Sequence, residues 1–266
     1  IMSAEDRYID VNRELWNAKT PLHIQSAFYD NGAFVAGCNT LKEPELALLG
    51  NVEGKEILHL QCHFGQDTMS LARMGAKCTG VDLSDVAIDK AKELNHQLGL
   101  DAEFVCADVY KLPEVLHNQF DIVFTTYGVL GWLPDMQRWA NVVSHFLKPG
   151  GKLVLVEFHP LVWVFDNAFT HVQYSYFNKE AIVEVLEGTY ADKEAVIAME
   201  EIGWNHPLSD VLQGLMNAGL QINTFKEYDY SPYNCFANMV EVDGKYYIKG
   251  MEGKLPMIYA VVAEKA

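Results

Sequence analysis

Two aspartates, Asp82 and Asp108, stand at the ends of apolar runs, and a polar turn, Gln61-Cys62-His63-Phe64-Gly65, ends a third. A carboxylate at the tip of a buried strand can accept hydrogen bonds from a ribose diol or an exocyclic amine, each charge-assisted bond contributing about 1.5–3 kcal/mol. Gly65 can take a positive φ and let backbone approach a ligand. A helix starting near Asp67 and Thr68 offers its unpaired N–H groups to that ligand. These residues describe a grip on a nucleoside. Asp82 would take the ribose and Asp108 the base amine. Leu83 would press on one face of a flat ring, for which Cys106, Ala107 and Val109 leave room. Plainer roles stand beside these: Asp82 as a charge at the next helix N-terminus, where Ser84 reads as the N-cap, and Asp108 as a solvated loop acid. His63 reads equally as a ligand contact and as a hydrogen-bonded structural side chain.

Thr125, Thr126, Tyr127 and Gly128 end a fourth apolar run, and Tyr127 there is either a packed loop aromatic or a group that orients a nucleophile. The candidates for a general base are Glu157, His159 and His206. Histidine is the side chain whose unperturbed pKa lies near neutrality, although a lone His beside Pro is more often structural. The five cysteines show no C-x-x-C spacing, and the single H-x-x-x-H, His59 to His63, runs from a strand end into the turn instead of along one helix face, so no metal is indicated. Free core cysteines at Cys62, Cys78 and Cys106 fit a reducing compartment.

The elements that must position these groups alternate. Strands are expected at Glu56–Leu60, Lys77–Asp82, Ala102–Ala107, Phe120–Thr125 and Lys152–Phe158. Helices are expected at Asp67–Met74, Asp85 to about Leu98, and Met136–Phe146. Near-continuous apolar strands such as Leu153–Val156 are those of a parallel sheet covered on both faces, which makes the fold class α/β and doubly wound. In such a sheet the turn, the helix N-terminus and the acids share one edge. The first fifty residues read as a separate helical cap, with Tyr8, Val11, Leu15 and Trp16 on one stripe that Pro21 interrupts. A short helix should follow Pro44. Residues 51–266 form the main domain, in which 160–203 read as an insertion near the ligand edge. Its two antiparallel strands are expected near Ile182–Tyr190 and Ala195–Ile202. A helix over Pro207–Ala218 and strands at Gln221–Tyr228 and Ile258–Glu264 complete the sheet, with 232–256 as a long connection.

Half of the 266 residues are hydrophobic and the formal net charge is −16, without a basic cluster. Nucleic-acid binders concentrate Lys and Arg to neutralise phosphates, and anionic lipid would repel this surface. A small-molecule partner is therefore expected, with no nucleic acid and no membrane. No leader is legible ahead of Asp6 and Arg7, and no apolar run could cross a bilayer, so the expected location is cytoplasmic.

Five segments in order carry a family resemblance: LHLQCHFGQ at 58–66, VDLS at 81–84, CADVY at 106–110, FDIVFTTYGVL at 120–130 and LKPGG at 147–151. The chain resembles the class I S-adenosylmethionine-dependent methyltransferases, clearly over 56–158 and more loosely over 204–266. The resemblance implies a seven-stranded sheet with an antiparallel last strand, S-adenosyl-L-methionine as cofactor, and in-line methyl displacement onto an O, N, S or C acceptor. It implies that Asp82 and Asp108 read ribose and adenine, with Leu83, Ser84, Ala107 and Val109 beside them as cofactor contacts, and that Thr126 and Tyr127 lie near the sulfonium and acceptor, where Tyr127 could shield the methyl group. The pattern departs from the family at His59, which replaces an acid, and at Gln61 and His63, which replace glycines. The rival readings are a nicotinamide-dependent oxidoreductase, which lacks its G-x-G-x-x-G turn here, and a non-catalytic cofactor-binding module.

Overall fold

A computed structural model describes residues 4–266, with side chains from Arg7 onward. The chain opens with α1 (Ala4–Gln25), α2 (Asn31–Val35) and α3 (Glu43–Leu49). The alternating part follows as β1 (Glu56–Leu60), α4 (Gln66–Arg73), β2 (Lys77–Asp82), α5 (Asp85–Gln97), β3 (Glu103–Cys106), the short α6 (Leu112–Val115), β4 (Phe120–Thr126), α7 (Met136–Phe146) and β5 (Leu147–Phe158). A hairpin, β6 (Ile182–Glu187) and β7 (Ala198–Gly203), precedes α8 (Leu208–Asn217) and β8 (Leu220–Tyr228). A second hairpin, β9 (Met239–Val242) and β10 (Lys245–Ile248), precedes β11 (Ile258–Lys265).

Seven strands make one sheet in the order β3-β2-β1-β4-β5-β11-β8. β1 pairs in parallel with β2 and β4, while β11 runs antiparallel to both β5 and β8. The α/β class and the antiparallel last strand are as expected. Strand alternation sorts the core into two layers. Leu58 and Leu60 of β1 pack with Trp139 and Val143 of α7 and Leu215 of α8. Ile57 faces the other way, toward Leu71 of α4 and Ile88 of α5. Ser84 caps α5 by accepting from the Ala87 N–H at 3.0 Å, and Asp135 caps α7 through the Arg138 N–H at 2.9 Å.

Three local expectations need correction, and one short helix was not expected. α1 passes through Pro21 instead of stopping there, with Thr20 Oγ1 donating to the Trp16 carbonyl at 2.7 Å in the turn just before it. β5 begins at Leu147, because its first residue pairs with Phe120 ahead of a register shift, so the Lys-Pro-Gly-Gly turn lies within it. Residues 232–256 are not a plain connection, since Met239–Ile248 pair with each other. The helix Asn31–Val35 carries too short a pattern to be read. Among the described residues, no helix is long and apolar enough to cross a membrane.

Candidate active site

The carboxyl ends of β1, β2, β4 and β5 open on one cavity of about 790 Å³, roofed by α1 and the β6–β7 hairpin. Cavities of this size suit drug-sized or cofactor-sized ligands. Its floor is the turn after β1. Gln61 and His63 take φ of 56° and 51°, and Gly65 takes 82°. Each non-glycine residue held there costs about 1–2 kcal/mol. At Gly65 a Cβ would meet the Phe104 ring at 2.6 Å, so only glycine fits. The turn thus retains the left-handed backbone of a glycine-rich loop while carrying side chains.

Those side chains are tied down. Gln61 Nε2 donates to the Val129 carbonyl at 2.8 Å, and its buried Oε1 has no partner. His63 Nε2 meets His23 Nδ1 of α1 at 2.9 Å, which leaves His63 Nδ1 unpartnered. Burial holds both imidazoles neutral, His23 at about 3 and His63 well below its ordinary value. Phe64 is buried below the turn against Tyr29, ring centroids 4.9 Å apart.

Asp82 braces the floor. Its Oδ2 accepts from the His63 N–H at 2.8 Å and its Oδ1 from the Ser84 N–H at 2.9 Å. A carboxylate has about four acceptor positions, so each oxygen keeps one for a ligand. Burial raises the pKa, and the backbone donors oppose that shift. The next strand end is locked alongside, since the Ala107 N–H donates to the Asp82 carbonyl at 2.9 Å. Asp108 Oδ1 accepts from the Tyr110 N–H at 2.9 Å. Asp82, Leu83, Asp108 and Val109 line one end of the cavity.

Three expected contacts face elsewhere. Thr68 Oγ1 bonds His59 Nδ1 at 2.8 Å inside the core. Burial lowers His59 to about 3, so this neutral pair joins β1 to α4. Ser84 caps α5 and donates to Asn17 of α1 at 2.6 Å. Ala107 contributes backbone alone. None of the three lines the cavity. Asp67 does, and accepts from Thr40 Oγ1 at 2.5 Å, with burial raising its pKa.

The four candidate catalytic groups separate. Glu157 lines the cavity but is saturated. Its Oε1 accepts from the Phe158 N–H at 2.6 Å and from the Gly128 N–H, and its Oε2 from the Val129 and Leu130 N–H groups at 2.8 and 2.9 Å. It anchors the loop after β4 and has no lone pair left to act as a base. His159 lies outside the cavity wall, with Nε2 on Glu227 Oε1 at 3.0 Å and Nδ1 accepting from the Leu161 N–H at 3.1 Å. Neither nitrogen is available, which corrects the expectation of a base there. His206 lines the cavity; its Nε2 donates to the Leu133 carbonyl at 2.6 Å, which leaves Nδ1 as an acceptor. Thr126 and Tyr127 also line it. Tyr127 takes a φ of 50°, and its hydroxyl donates to Glu45 Oε2 at 2.6 Å.

Several residues of the site were not legible beforehand. Asn12 of α1 makes two bonds to Ile202 of β7, at 2.8 and 3.0 Å, and Lys19 reaches Glu201 at 3.4 Å. Lys19 Nζ also sits over the Trp16 and Trp132 rings, at 5.2 and 5.6 Å. The Tyr29 and Tyr190 hydroxyls bond each other. Glu45 stands three residues after the N-cap Lys42 and accepts its N–H at 2.6 Å, which is half of a capping box, since a lysine side chain has no acceptor to complete it.

Residues 57–151 match the family described as a methyltransferase domain. A ubiquinone biosynthesis O-methyltransferase of Coxiella burnetii is 37% identical over 150 residues, which cover 55% of this chain and 58% of that protein. Phosphoethanolamine N-methyltransferase 1 of Triticum aestivum is 31% identical over 153 residues, covering 55% of this chain and 30% of the other. The chain therefore spans little more than half the length of the first of these relatives. The crystal structure of an S-adenosylmethionine-dependent methyltransferase from Clostridium acetobutylicum superimposes with a TM-score of 0.57 at 16% identity, over 96% of this chain and 98% of that one, and shares its fold.

Proposed function

We propose, from the premise that the chain belongs through residues 57–151 to the class I S-adenosylmethionine-dependent methyltransferases, that it methylates a small-molecule acceptor. The observation that carries this reading is the side-by-side placement of Asp82 and Asp108 at the rim of the cavity whose floor is the strained first turn. Each acid is held by backbone donors and keeps acceptor capacity, as a ribose diol and an adenine amine require. The α4 N-terminus and the unpartnered Gln61 Oε1 lie at the same floor, so the residues present fit the cofactor.

Bound there, the cofactor supplies an electrophilic methyl group on a sulfonium. Asp82 and Asp108 hold the nucleoside, with Leu83 and Val109 beside the base. Gly65 and the first turn admit the methionine portion, and Asp67 and Lys42, which line the same cavity, offer opposite charges to its ammonium and its carboxylate. Lys42 lies over the Tyr233 ring at 5.0 Å. The remaining cavity is aromatic, with Trp16, Trp132, Tyr190 and Tyr233 on its walls. Such walls suit a planar or apolar acceptor and exclude water. The N-terminal helices α1 to α3 and the 160–203 insertion act as the cover, and positioning supplies much of the acceleration. The acidic chain, at −16, disfavours a nucleic-acid acceptor.

Isothermal calorimetry with S-adenosylhomocysteine, then transfer of labelled methyl from S-adenosylmethionine into fractionated metabolite pools, tests the reading. Binding with incorporation supports it. Binding without incorporation into any pool would favour a non-catalytic module, and no binding would end the reading.

A further inference from the structure

Glu45 is a carboxylate with no exposed surface, set in α3 behind the cavity wall. Among the described residues it pairs with no cation; its Oε1 accepts from the Lys42 N–H at 2.6 Å and its Oε2 from the Tyr127 hydroxyl at 2.6 Å. Burying a carboxylate without a cation is expensive, and a single N–H at a helix start can be satisfied at the surface for less. Tyr127 is itself strained, with a φ of 50° next to Gly128, at the carboxyl end of the central strand β4. Two unfavourable placements thus meet in one hydrogen bond behind the cavity, and local strain of this kind clusters at functional sites.

We infer that Glu45 is the positioning residue and final proton store for a hydroxyl acceptor, acting through the Tyr127 hydroxyl that lies between it and the cavity. The inference rests on the methyl-transfer reading. A neutral amine attacks through its lone pair and sheds its proton afterwards, whereas a hydroxyl needs a base as it attacks. As the acceptor O–H breaks, its proton passes to Tyr127 Oη and the proton of Tyr127 passes to Glu45. The O–H bonding pair stays on the acceptor oxygen and becomes the new O–CH3 bond, and the C–S pair stays on sulfur. Glu45 ends as a neutral acid and the sulfonium as a neutral thioether, so two charges vanish from a dry site and no phenolate of Tyr127 accumulates.

The surroundings agree. Desolvation raises Glu45 to about 7, with Asp67 of α4 adding to the rise while the Tyr127 hydroxyl and the Lys42 N–H oppose it. A base poised near the working pH is the effective one. Facing the same carboxylate are Tyr228 at the end of β8 and Tyr233 after it, and burial pushes both phenols up, so they stay neutral. Burial likewise keeps the Tyr127 phenol protonated. Of the other wall groups, Glu157 is saturated and His63 is joined to His23.

The test uses Glu45→Gln, which keeps the capping oxygen and can still bond Tyr127 but cannot take a proton. With catechol as probe acceptor, kcat of the wild type should rise with pH through about 7. In Glu45→Gln it should fall on the order of 10–100-fold and lose that limb. Tyr127→Phe should lose as much, and the double variant no more. The S-adenosylhomocysteine Kd should stay within about twofold. Infrared difference spectra between acid and alkaline sides of neutrality, with S-adenosylhomocysteine bound, should show a protonated carboxyl lost in the wild type and absent in Glu45→Gln. The inference is overturned by an unchanged rate and pH limb in Glu45→Gln, by absence of the infrared band, or by a wild type that methylates only amines. Failure of the wild type to bind S-adenosylhomocysteine would instead overturn the reading beneath it.

Discussion

His23 and His63 are joined ring to ring, Nδ1 to Nε2 at 2.9 Å, and this bond fastens the N-terminal helix to the floor of the cavity. Burial, with Lys19 nearby, keeps both imidazoles neutral, His23 at about 3. The unfolded chain binds a proton at each near 6.5, while the native state does not until far lower. Stability from these rings is therefore complete above 6.5 and is lost as pH falls toward 3. Glu45 and Asp67, both raised by burial, act in the opposite sense, and Glu45 favours the native state as pH falls below about 7. His23→Gln keeps a partner for His63 and removes one titration. Between pH 6 and 5 it should flatten the dependence of unfolding free energy by about 1.4 kcal/mol per pH unit. Urea unfolding at several pH values measures this, and an unchanged slope would refute the neutral assignment.

Gly65 carries the least tolerant backbone in the site. Alanine there must hold a φ of 82° and place its Cβ 2.6 Å from Phe104, which is itself buried in the core. Strain and overpacking add, so Gly65→Ala should cost more than about 2 kcal/mol by urea denaturation. Gly99 also has a positive φ but opens on free space, so Gly99→Ala should lose only the smaller backbone cost. Equal losses at the two positions would show that Phe104 yields.

The sheet was legible because its signal is local. Ile57–Leu60, Lys77–Asp82 and Phe120–Thr126 are apolar runs bounded by turn residues, and β2 and α7 fall at the expected residues. Asp82 and Asp108 were readable because a strand end fixes where a short side chain lies. Glu157 and His159 were equally visible as titratable groups, but their partners, the loop after β4 and Glu227 of β8, are distant in sequence. Nothing in EFH tells a base from an anchor. The cap failed to show for the same reason: Asn12, Lys19 and His23 are ordinary polar positions on α1 until the hairpin at 182–203 and the first turn meet them.

Asp82 holds two backbone N–H groups and is to hold a ligand as well. Asparagine has one acceptor oxygen, so Asp82→Asn leaves one N–H facing an amide N–H. The unliganded protein should lose about 1–3 kcal/mol. Loss of charge-assisted bonds to a ribose should weaken S-adenosylhomocysteine by about 10–100-fold in calorimetry. A stability loss with unaltered affinity would confine Asp82 to bracing the turn.

Glu157 meets four N–H groups with two oxygens, and glutamine can serve only half of them. Each buried donor left facing an amide costs about 1–3 kcal/mol. Glu157→Gln should therefore unfold at clearly lower urea, while any pH dependence of turnover survives in the fraction that folds. A stable Glu157→Gln protein with an altered pH profile would return Glu157 to the list of bases.

Asn12 closes the roof. The outer edge of β7 leaves the Ile202 N–H and carbonyl unpaired by β6, and the Asn12 side chain takes both, itself only 2% exposed. Asn12→Ala leaves two buried backbone groups without partners, costing about 2–6 kcal/mol in place. Opening α1 to water relieves that cost, so the helix should lift before the sheet unfolds. Arg13 and Lys19 would then meet trypsin, and cutting there should quicken by at least tenfold while the sheet stays intact. If α1 and the hairpin cover the cofactor edge, S-adenosylhomocysteine should slow this cutting in the wild type and, with α1 already released, much less in Asn12→Ala. Equal cutting with and without ligand in the wild type would leave α1 as a fixed part of the fold with no share in closing the site.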